Sequence, residues 1–530
     1  MAWYLCLFFY CLAVQAFDPV VDLGYSKYRG TVQESGVAQW LGIRYAAPPV
    51  GGLRFAAPQD PKATKGIQSA DQHGDLCIPT GPHTIQENQS EDCLFLDVYA
   101  PARANASSSL PVYVWIQGGG FNELSQANYD GTGLIKAADM DLVVVTFNYR
   151  VGPYGFLAGE EIKKGASLNN GLKDQLKVLQ WVQKHISQFG GNPDHVVIGG
   201  ASAGAGSVTL LVSAPEEKTK GMFHAAAAES QSFPSMRNTK TSQTIYDGLA
   251  ERTGCFQSKD SLACLRDLDV AQLQRQNYDV PLPGAQKPAL FIYGPTVDGD
   301  LVPDYTYEQF QNGQFRHIPM IFGDTSNEGT VFADKNTASV READTFIRDE
   351  FPQIKSNQLD RINDMYLQPD QTHHYPNSKP YWRPLSNAYG EMRYICPGIE
   401  LSNLTTDAGV PTWNYHYAVH DKTWDAQGYG VKHVAETAAI WGPSYVHGAG
   451  SQTLTNENRE IVPLMQGYWS SFIRSFDPNK YRSKGAPEWK TWGHGQRLFI
   501  QTGKTKMETV SREQQARCKY LSDIGDDLRQ

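Results

Sequence analysis

Ser202 stands in Gly200-Ala201-Ser202-Ala203-Gly204, a serine with a glycine two positions away on either side. The apolar run His195-Val196-Val197-Ile198-Gly199 before it has the composition of a short buried parallel strand, and Ala205 to Val212 after it can carry a helix. A serine so flanked between strand and helix is the nucleophile-elbow pattern. The demand is steric. The serine backbone must take a strained turn that lifts Oγ off the sheet, and side chains at the glycines would collide with the neighbouring strand or helix. The hydroxyl could then attack a carbonyl carbon, with the N–H of Ala203 directed at the carbonyl oxygen. The same five residues also make an ordinary glycine-rich turn, so the rest of the chain has to decide.

A serine nucleophile needs a base and a group that orients the base. In folds built on an elbow these follow in the order Ser, then Asp or Glu, then His, each at the end of a later strand. Glu328 comes just after the strand-like Pro319-Met320-Ile321-Phe322-Gly323 and is followed by Gly329. His433 lies in Gly428-Tyr429-Gly430-Val431-Lys432-His433, a glycine-rich loop entering a helix; His416, His420, His447 and His494 are its rivals. Gly118-Gly119-Gly120, after another strand-like run, can present bare backbone N–H groups to a developing oxyanion. Each has a plainer reading: an exposed carboxylate, a structural histidine, a flexible turn. No group of residues shows metal-ligand spacing, and the chemistry needs no cofactor.

The elements that must position these residues follow in order. Gly30–Gln33 and Val37–Ile43 read as an antiparallel hairpin, and Leu94–Tyr99, Leu110–Ile116 and Leu142–Tyr149 as strands. Leu172, Leu176, Leu179, Val182 and Ile186 recur at helical spacing. Phe223–Ser230 and Pro411–Tyr417 are later strands. The alternation predicts an α/β fold: a large, mostly parallel central sheet with antiparallel strands at its start and helical insertions.

With 41% hydrophobic residues and a net charge of −9, the 530-residue chain has material for a large core and no sign of a nucleic-acid partner. Residues 1–16 read as a signal peptide cleaved before Phe17: the apolar run from Trp3 to Val14 is too short to cross a bilayer, and small residues stand at Val14 and Ala16. Residues 17–530 read as one elaborated domain, with no membrane anchor. The expected product is secreted and extracellular. Cys77, Cys93, Cys255, Cys264, Cys396 and Cys518 are then an even set in an oxidising compartment. Asn88, Asn105 and Asn403 begin glycosylation sequons, which call for exposed loops.

From about Gly30 to Cys518 the chain resembles the type-B carboxylesterase and lipase family, which includes the cholinesterases and many secreted fungal esterases. The resemblance rests on Glu91-Asp92-Cys93-Leu94, Gly118-Gly119-Gly120-Phe121, Asn148-Tyr149-Arg150-Val151-Gly152, Phe189-Gly190-Gly191-Asn192-Pro193, the elbow, Glu328-Gly329 and Gly430-Val431-Lys432-His433-Val434-Ala435-Glu436, in that order. It implies an α/β-hydrolase fold and a serine ester hydrolase. Ser202 would be the nucleophile, His433 the general base and acid, and Glu328 the orienting carboxylate. Gly119, Gly120 and Ala203 would supply the oxyanion N–H groups. The implied disulfides are Cys77 with Cys93, Cys255 with Cys264, and Cys396 with Cys518.

Three departures narrow the expectation. Ala201 stands where the family usually has Glu, which removes a carboxylate beside the nucleophile, and Leu124 replaces a usual glycine after the oxyanion loop. The stretch between Cys77 and Cys93 holds no Phe, Trp or Tyr, so neither an aromatic face for a cationic substrate nor an apolar lid is there. A neutral small or medium ester is the expected substrate. A specialised acyltransferase or secondary-metabolite esterase, and a catalytically inactive binding member of the family, remain the alternatives.

Overall fold

The computed structural model describes residues 19–447 and 452–530; the expected signal peptide lies outside the described residues. Eleven strands form the central sheet. In chain order they are β1 Thr31–Val32, β2 Val37–Arg44, β3 Phe95–Pro101, β4 Leu110–Ile116, β5 Val143–Phe147, β6 Gly191–Ala201, β7 Ala225–Glu229, β8 Met320–Thr325, β9 Thr412–Tyr417, β10 Gln496–Ile500 and β11 Lys506–Thr509. Across the sheet the order is β11-β10-β9-β8-β7-β6-β4-β5-β3-β2-β1. Every pairing from β10 to β5 is parallel, and antiparallel strands close both ends.

Strands β4, β5 and β7 at the centre are buried over nearly their whole length, only Leu110 and Pro111 at the start of β4 being partly exposed, as expected where helices cover both faces of a parallel sheet. Side-chain alternation divides the core. Val112, Val114 and Ile116 of β4 join Val143, Val145, Val196 and Ile198 on one face, packed under helices α1 (Asn170–His185) and α2 (Ala203–Val212). Tyr113, Trp115, Val144 and Val197 point the other way, toward α5 (Ile461–Ser475). Between these helices in sequence come α3 (Cys396–Asp407) and the short α4 (Thr437–Trp441).

Three disulfides join Cys77 to Cys93, Cys255 to Cys264 and Cys396 to Cys518, with Cα–Cα separations of 5.0, 5.5 and 4.7 Å. The last closes a loop of 122 positions and ties α3 to the C-terminal helix Arg512–Asp523. Restricting so long a loop is worth about 4–5 kcal/mol in the chain-entropy account. Asn88 and Asn105 occupy exposed turns. Asn403 differs from the exposed loop that a sequon calls for: it sits half-buried within α3, and its Oδ1 accepts from Trp492 Nε1 at 2.7 Å. No helix among the described residues is long and apolar enough to cross a membrane.

Candidate active site

Strand β6 ends at Ala201, α2 begins at Ala203, and Ser202 between them has φ 57° and ψ −124°. Such a conformation costs on the order of 1–3 kcal/mol and persists only where the surroundings over-determine it. Two hydrogen bonds do so. Ser202 N–H donates to the Glu229 carbonyl on β7 at 3.0 Å, and its carbonyl accepts from Gly206 N–H at 2.9 Å. The flanking glycines are required by contact. A Cβ on Gly204 would lie 1.9 Å from the Ile116 carbonyl oxygen at the end of β4, and one on Gly200 would lie 2.6 Å from that same oxygen.

The loop after β4 wraps on itself. Asn122 N–H and Glu123 N–H both donate to the Gly119 carbonyl at 3.0 Å, and Gly118 N–H donates to Gln126 Oε1 at 2.9 Å. Asn122 Nδ2 pins the loop from outside, donating to the Gly120 and Tyr293 carbonyls at 2.7 Å each. The N–H groups of Gly119 and Gly120 are left with no acceptor among the described residues. Ala203, the first residue of α2, has no intrahelical acceptor either. Gly120 has φ 61°, and a Cβ there would strike the Phe291 ring at 2.1 Å.

Glu328 lies just past β8 and is fully buried. Its Oε1 accepts from Thr325 N–H at 2.6 Å, and its Oε2 meets His433 Nδ1. Because a carboxylate can only accept, this contact places the imidazole proton on Nδ1 and leaves Nε2 as the acceptor. Nε2 is buried and has no partner among the described residues. The two loops that meet here are locked to each other: Asn327 N–H donates to the Val431 carbonyl at 2.9 Å, and Val431 N–H returns a bond to Asn327 Oδ1 at 3.0 Å. Rings of Tyr394 and Phe332 hold the imidazole, with centroids 4.5 and 5.1 Å from its own.

Ser202 and His433 line one cavity of about 350 Å³ together with Gly119 and Gly120. No hydrogen bond joins Ser202 Oγ to Nε2 in this structure. Both groups instead stand unpaired on the same space. Sites without a bound substrate often hold such contacts loosely. Of the rival histidines, His447 also lines the cavity. His416 is held between Ser326 Oγ and Glu508, His420 pairs with Asp425, and His494 lies 3.8 Å from Asp407.

Other lining residues carried no signal in the sequence. Phe291, Val331 and Phe332 give one apolar wall, and Trp424, with the Lys432 ammonium 4.2 Å above its ring, gives another. Nothing between Cys77 and Cys93 reaches the cavity. Ala201 is buried, and its partner in register on β7 is Glu229. A carboxylate therefore stands one strand away from the expected gap, on the far side of the sheet from α2. Leu124 packs partly buried against the core beneath the loop. The one cluster of potential metal ligands among the described residues is Glu391, Cys396 and Cys518, and both cysteines are spent in a disulfide.

The profile of the carboxylesterase family matches residues 18–521. Secreted lipase 4 of Gibberella zeae is 31% identical over 92% of this chain and 90% of its own length. Para-nitrobenzyl esterase of Bacillus subtilis is 29% identical over 87% and 90%. The crystal structure of Aspergillus niger EstA superposes with a TM-score of 0.94 at 40% identity, covering 97% of this chain and 99% of that one.

Proposed function

The chain belongs to the carboxylesterase family and is an ester hydrolase, and we propose that it cleaves neutral small or medium esters by acyl transfer through Ser202, His433 and Glu328. The observation that carries this reading is the orientation of His433. Its Nδ1 is committed to Glu328, while its unpaired Nε2 faces the cavity that Ser202 also lines. In the first step Nε2 takes the Ser202 proton as Oγ attacks the ester carbonyl. The oxyanion lies against the free N–H groups of Gly119, Gly120 and Ala203, donors already fixed by the self-closing loop and the helix start. His433 returns the proton to the leaving alcohol, and water cleaves the acyl-enzyme by the same route reversed.

A panel of p-nitrophenyl esters of graded acyl length tests the substrate class. Short and medium chains are expected to turn over fastest; a clear preference for long-chain triglyceride at an oil interface would overturn it. Ser202→Ala should lower kcat roughly a million-fold with the fold intact, and an organophosphonate should label the parent protein at Ser202 alone. Wild-type turnover in the variant would remove Ser202 from the mechanism.

Secretion belongs to the same proposal, with residues 1–16 as the signal and 17–530 as a single domain. It is supported by three disulfides in the structure and by likeness to a protein described as a secreted lipase. Protein recovered from the medium should begin at Phe17; recovery only inside cells, starting at Met1, would contradict it.

A further inference from the structure

A second hydroxyl, imidazole and carboxylate stand in line away from Ser202. Ser326 Oγ lies 2.8 Å from His416 Nε2, and His416 Nδ1 lies 2.9 Å from Glu508 Oε1. A carboxylate can only accept, so the ring proton sits on Nδ1, and Nε2 accepts from the Ser326 hydroxyl. Arg497 Nη2, 3.3 Å from Nδ1, is itself a donor and leaves that assignment unchanged. Burial holds the imidazole below its usual value, so the ring is neutral at neutral pH. These are the groups of a catalytic triad, but their setting is different. Neither Ser326 nor His416 lines the cavity that Ser202 opens on. Glu508 is also shared, its Oε1 accepting from Arg497 Nε at 2.7 Å. The arrangement therefore acts on the protein's own chain.

The residues lie side by side across four strands. Arg497 on β10 faces Glu508 on β11, and His416 on β9 faces Asp324 on β8. Arg497 and Asp324 are buried, with Arg497 Nη1 3.9 Å from Asp324 Oδ1. The row ends at Ser326, one residue past β8 and two before Glu328. Beyond the last ladder pair, Thr325 with Tyr417, Ser326 ties the turn to β9. Its N–H donates to the Tyr417 carbonyl at 3.1 Å, and its hydroxyl donates to His416. On the other side of the turn, Asn327 is tied to Val431 in the His433 loop. Glu328 follows at once, with Oε1 returning to Thr325 N–H.

We infer that His416 is a positioning residue for ester hydrolysis: its bond to Ser326 fixes the turn that presents Glu328 to His433, and Glu508 and Arg497 fasten that bond to the β10–β11 hairpin at the edge of the sheet. This rests on the reading of Glu328 as the carboxylate that orients the base. Without the bond, the Ser326 hydroxyl keeps only the Tyr417 carbonyl, at 3.4 Å, and the turn is held to β9 by its backbone. The contact between Glu328 and Nδ1 is directional, and a misplacement of about 1 Å at such a contact can cost on the order of 100-fold in rate.

The test measures kcat and KM of variants on one p-nitrophenyl ester, with kcat taken per site titrated to completion by an organophosphonate, so that loss of folded protein does not enter. Ser326→Ala and His416→Phe should each lower kcat about 10- to 100-fold and leave KM within about twofold. His416→Gln can set an amide near the place of Nε2, still able to bond the Ser326 hydroxyl, and should recover most of that loss. The double variant Ser326→Ala with His416→Phe should be no slower than the slower single variant, because both changes remove the same bond. Single variants with kcat within about twofold of wild type overturn the inference. So do losses that multiply in the double variant, or a His416→Gln protein as slow as His416→Phe, since either would mean that the ring's packing matters and its bond to Ser326 does not. Glu328→Gln is measured alongside. Full activity in that variant would instead remove the triad reading beneath the inference.

Discussion

Two pairs of buried carboxyls on opposite faces of the central sheet are held in opposite ways. On the α1 and α2 side, Arg54 grips Glu91 with two bonds of 2.6 and 2.7 Å, and Arg150 grips Asp174 with two of 2.8 and 2.7 Å. Each guanidinium also donates to backbone carbonyls. On the α5 side, Glu229 and Glu436 are fully buried without a cation. Glu229 accepts one bond from Trp469 Nε1 at 2.9 Å, and its Oε2 has none. Glu436 accepts at Oε1 from Ser230 Oγ and Tyr415 Oη, both at 2.9 Å, and its Oε2 is likewise bare. Burial, reinforced by the neighbouring Glu436, holds the Glu229 carboxyl well above its usual range; burial and Glu328 lift Glu436 to about 7. The difference is one of purpose. A charge matched by arginine fixes chain segments to one another. At pH values below about 7, where the two carboxyls keep their protons, a third one, Glu328, faces His433 without two more negative charges behind it.

The most severe test of that distinction sets Glu328 against Glu229. Glu328→Gln leaves the volume nearly unchanged but offers Nδ1 an amide that can turn either its oxygen or its N–H to the ring. The tautomer is then no longer fixed, and kcat should fall about 10⁴-fold. Glu229→Gln changes a residue that burial already biases toward its protonated form and that is bonded to Trp469, and kcat should stay within about threefold. Steady-state kinetics on one p-nitrophenyl ester reads both. Equal losses in the two variants would mean that Glu229 carries charge the catalytic machinery depends on, and the contrast between orienting and silent carboxyls would collapse.

How far the sequence revealed this site depends on what made each residue necessary. The elbow, the oxyanion loop and the Glu328 and His433 loops are legible because backbone contact forces glycine beside the functional side chain. Gly204 against Ile116 and Gly430 against Asn327, whose Oδ1 a Cβ would meet at 2.1 Å, leave that mark in the sequence. The parallel strands are legible as apolar runs. Even the alanines of β7, good helix formers, are read as strand because Ala225–Glu229 is flanked like one, and burial between β6 and β8 overrides their propensity. Strands β10 and β11 escape notice, since Gln496–Ile500 and Lys506–Thr509 are short and half polar. The cavity walls escape too. Phe291, Glu123 and Thr437 come from separate loops and a short helix, and no local rule assigns them to one space. Asn122 could have been found: an asparagine two residues past three glycines is a turn-former with carbonyls to hold. Glu229 could not, because a buried glutamate and a surface one look alike in a sequence.

A smaller effect sharpens the same contrast through stability. In the unfolded chain Glu436 releases its proton in the ordinary glutamate range, near 4.5, whereas in the native protein it does so at about 7. Between those values the native state binds the proton that the unfolded state has lost, so stability falls as pH rises through the window. The full span corresponds to up to about 3 kcal/mol, less whatever Glu229 and Glu328 share through their coupling to it. Glu436→Gln cannot lose a proton and should flatten this part of the profile. Thermal or urea unfolding of both proteins across the window reads the difference. The gap in stability between the glutamine variant and the parent should shift steadily in the variant's favour with rising pH, whatever its value at the acid end. A gap that stays constant would mean that Glu436 is ionised throughout, and the α5 face would then hold an uncompensated charge of the kind that the opposite face neutralises with arginine.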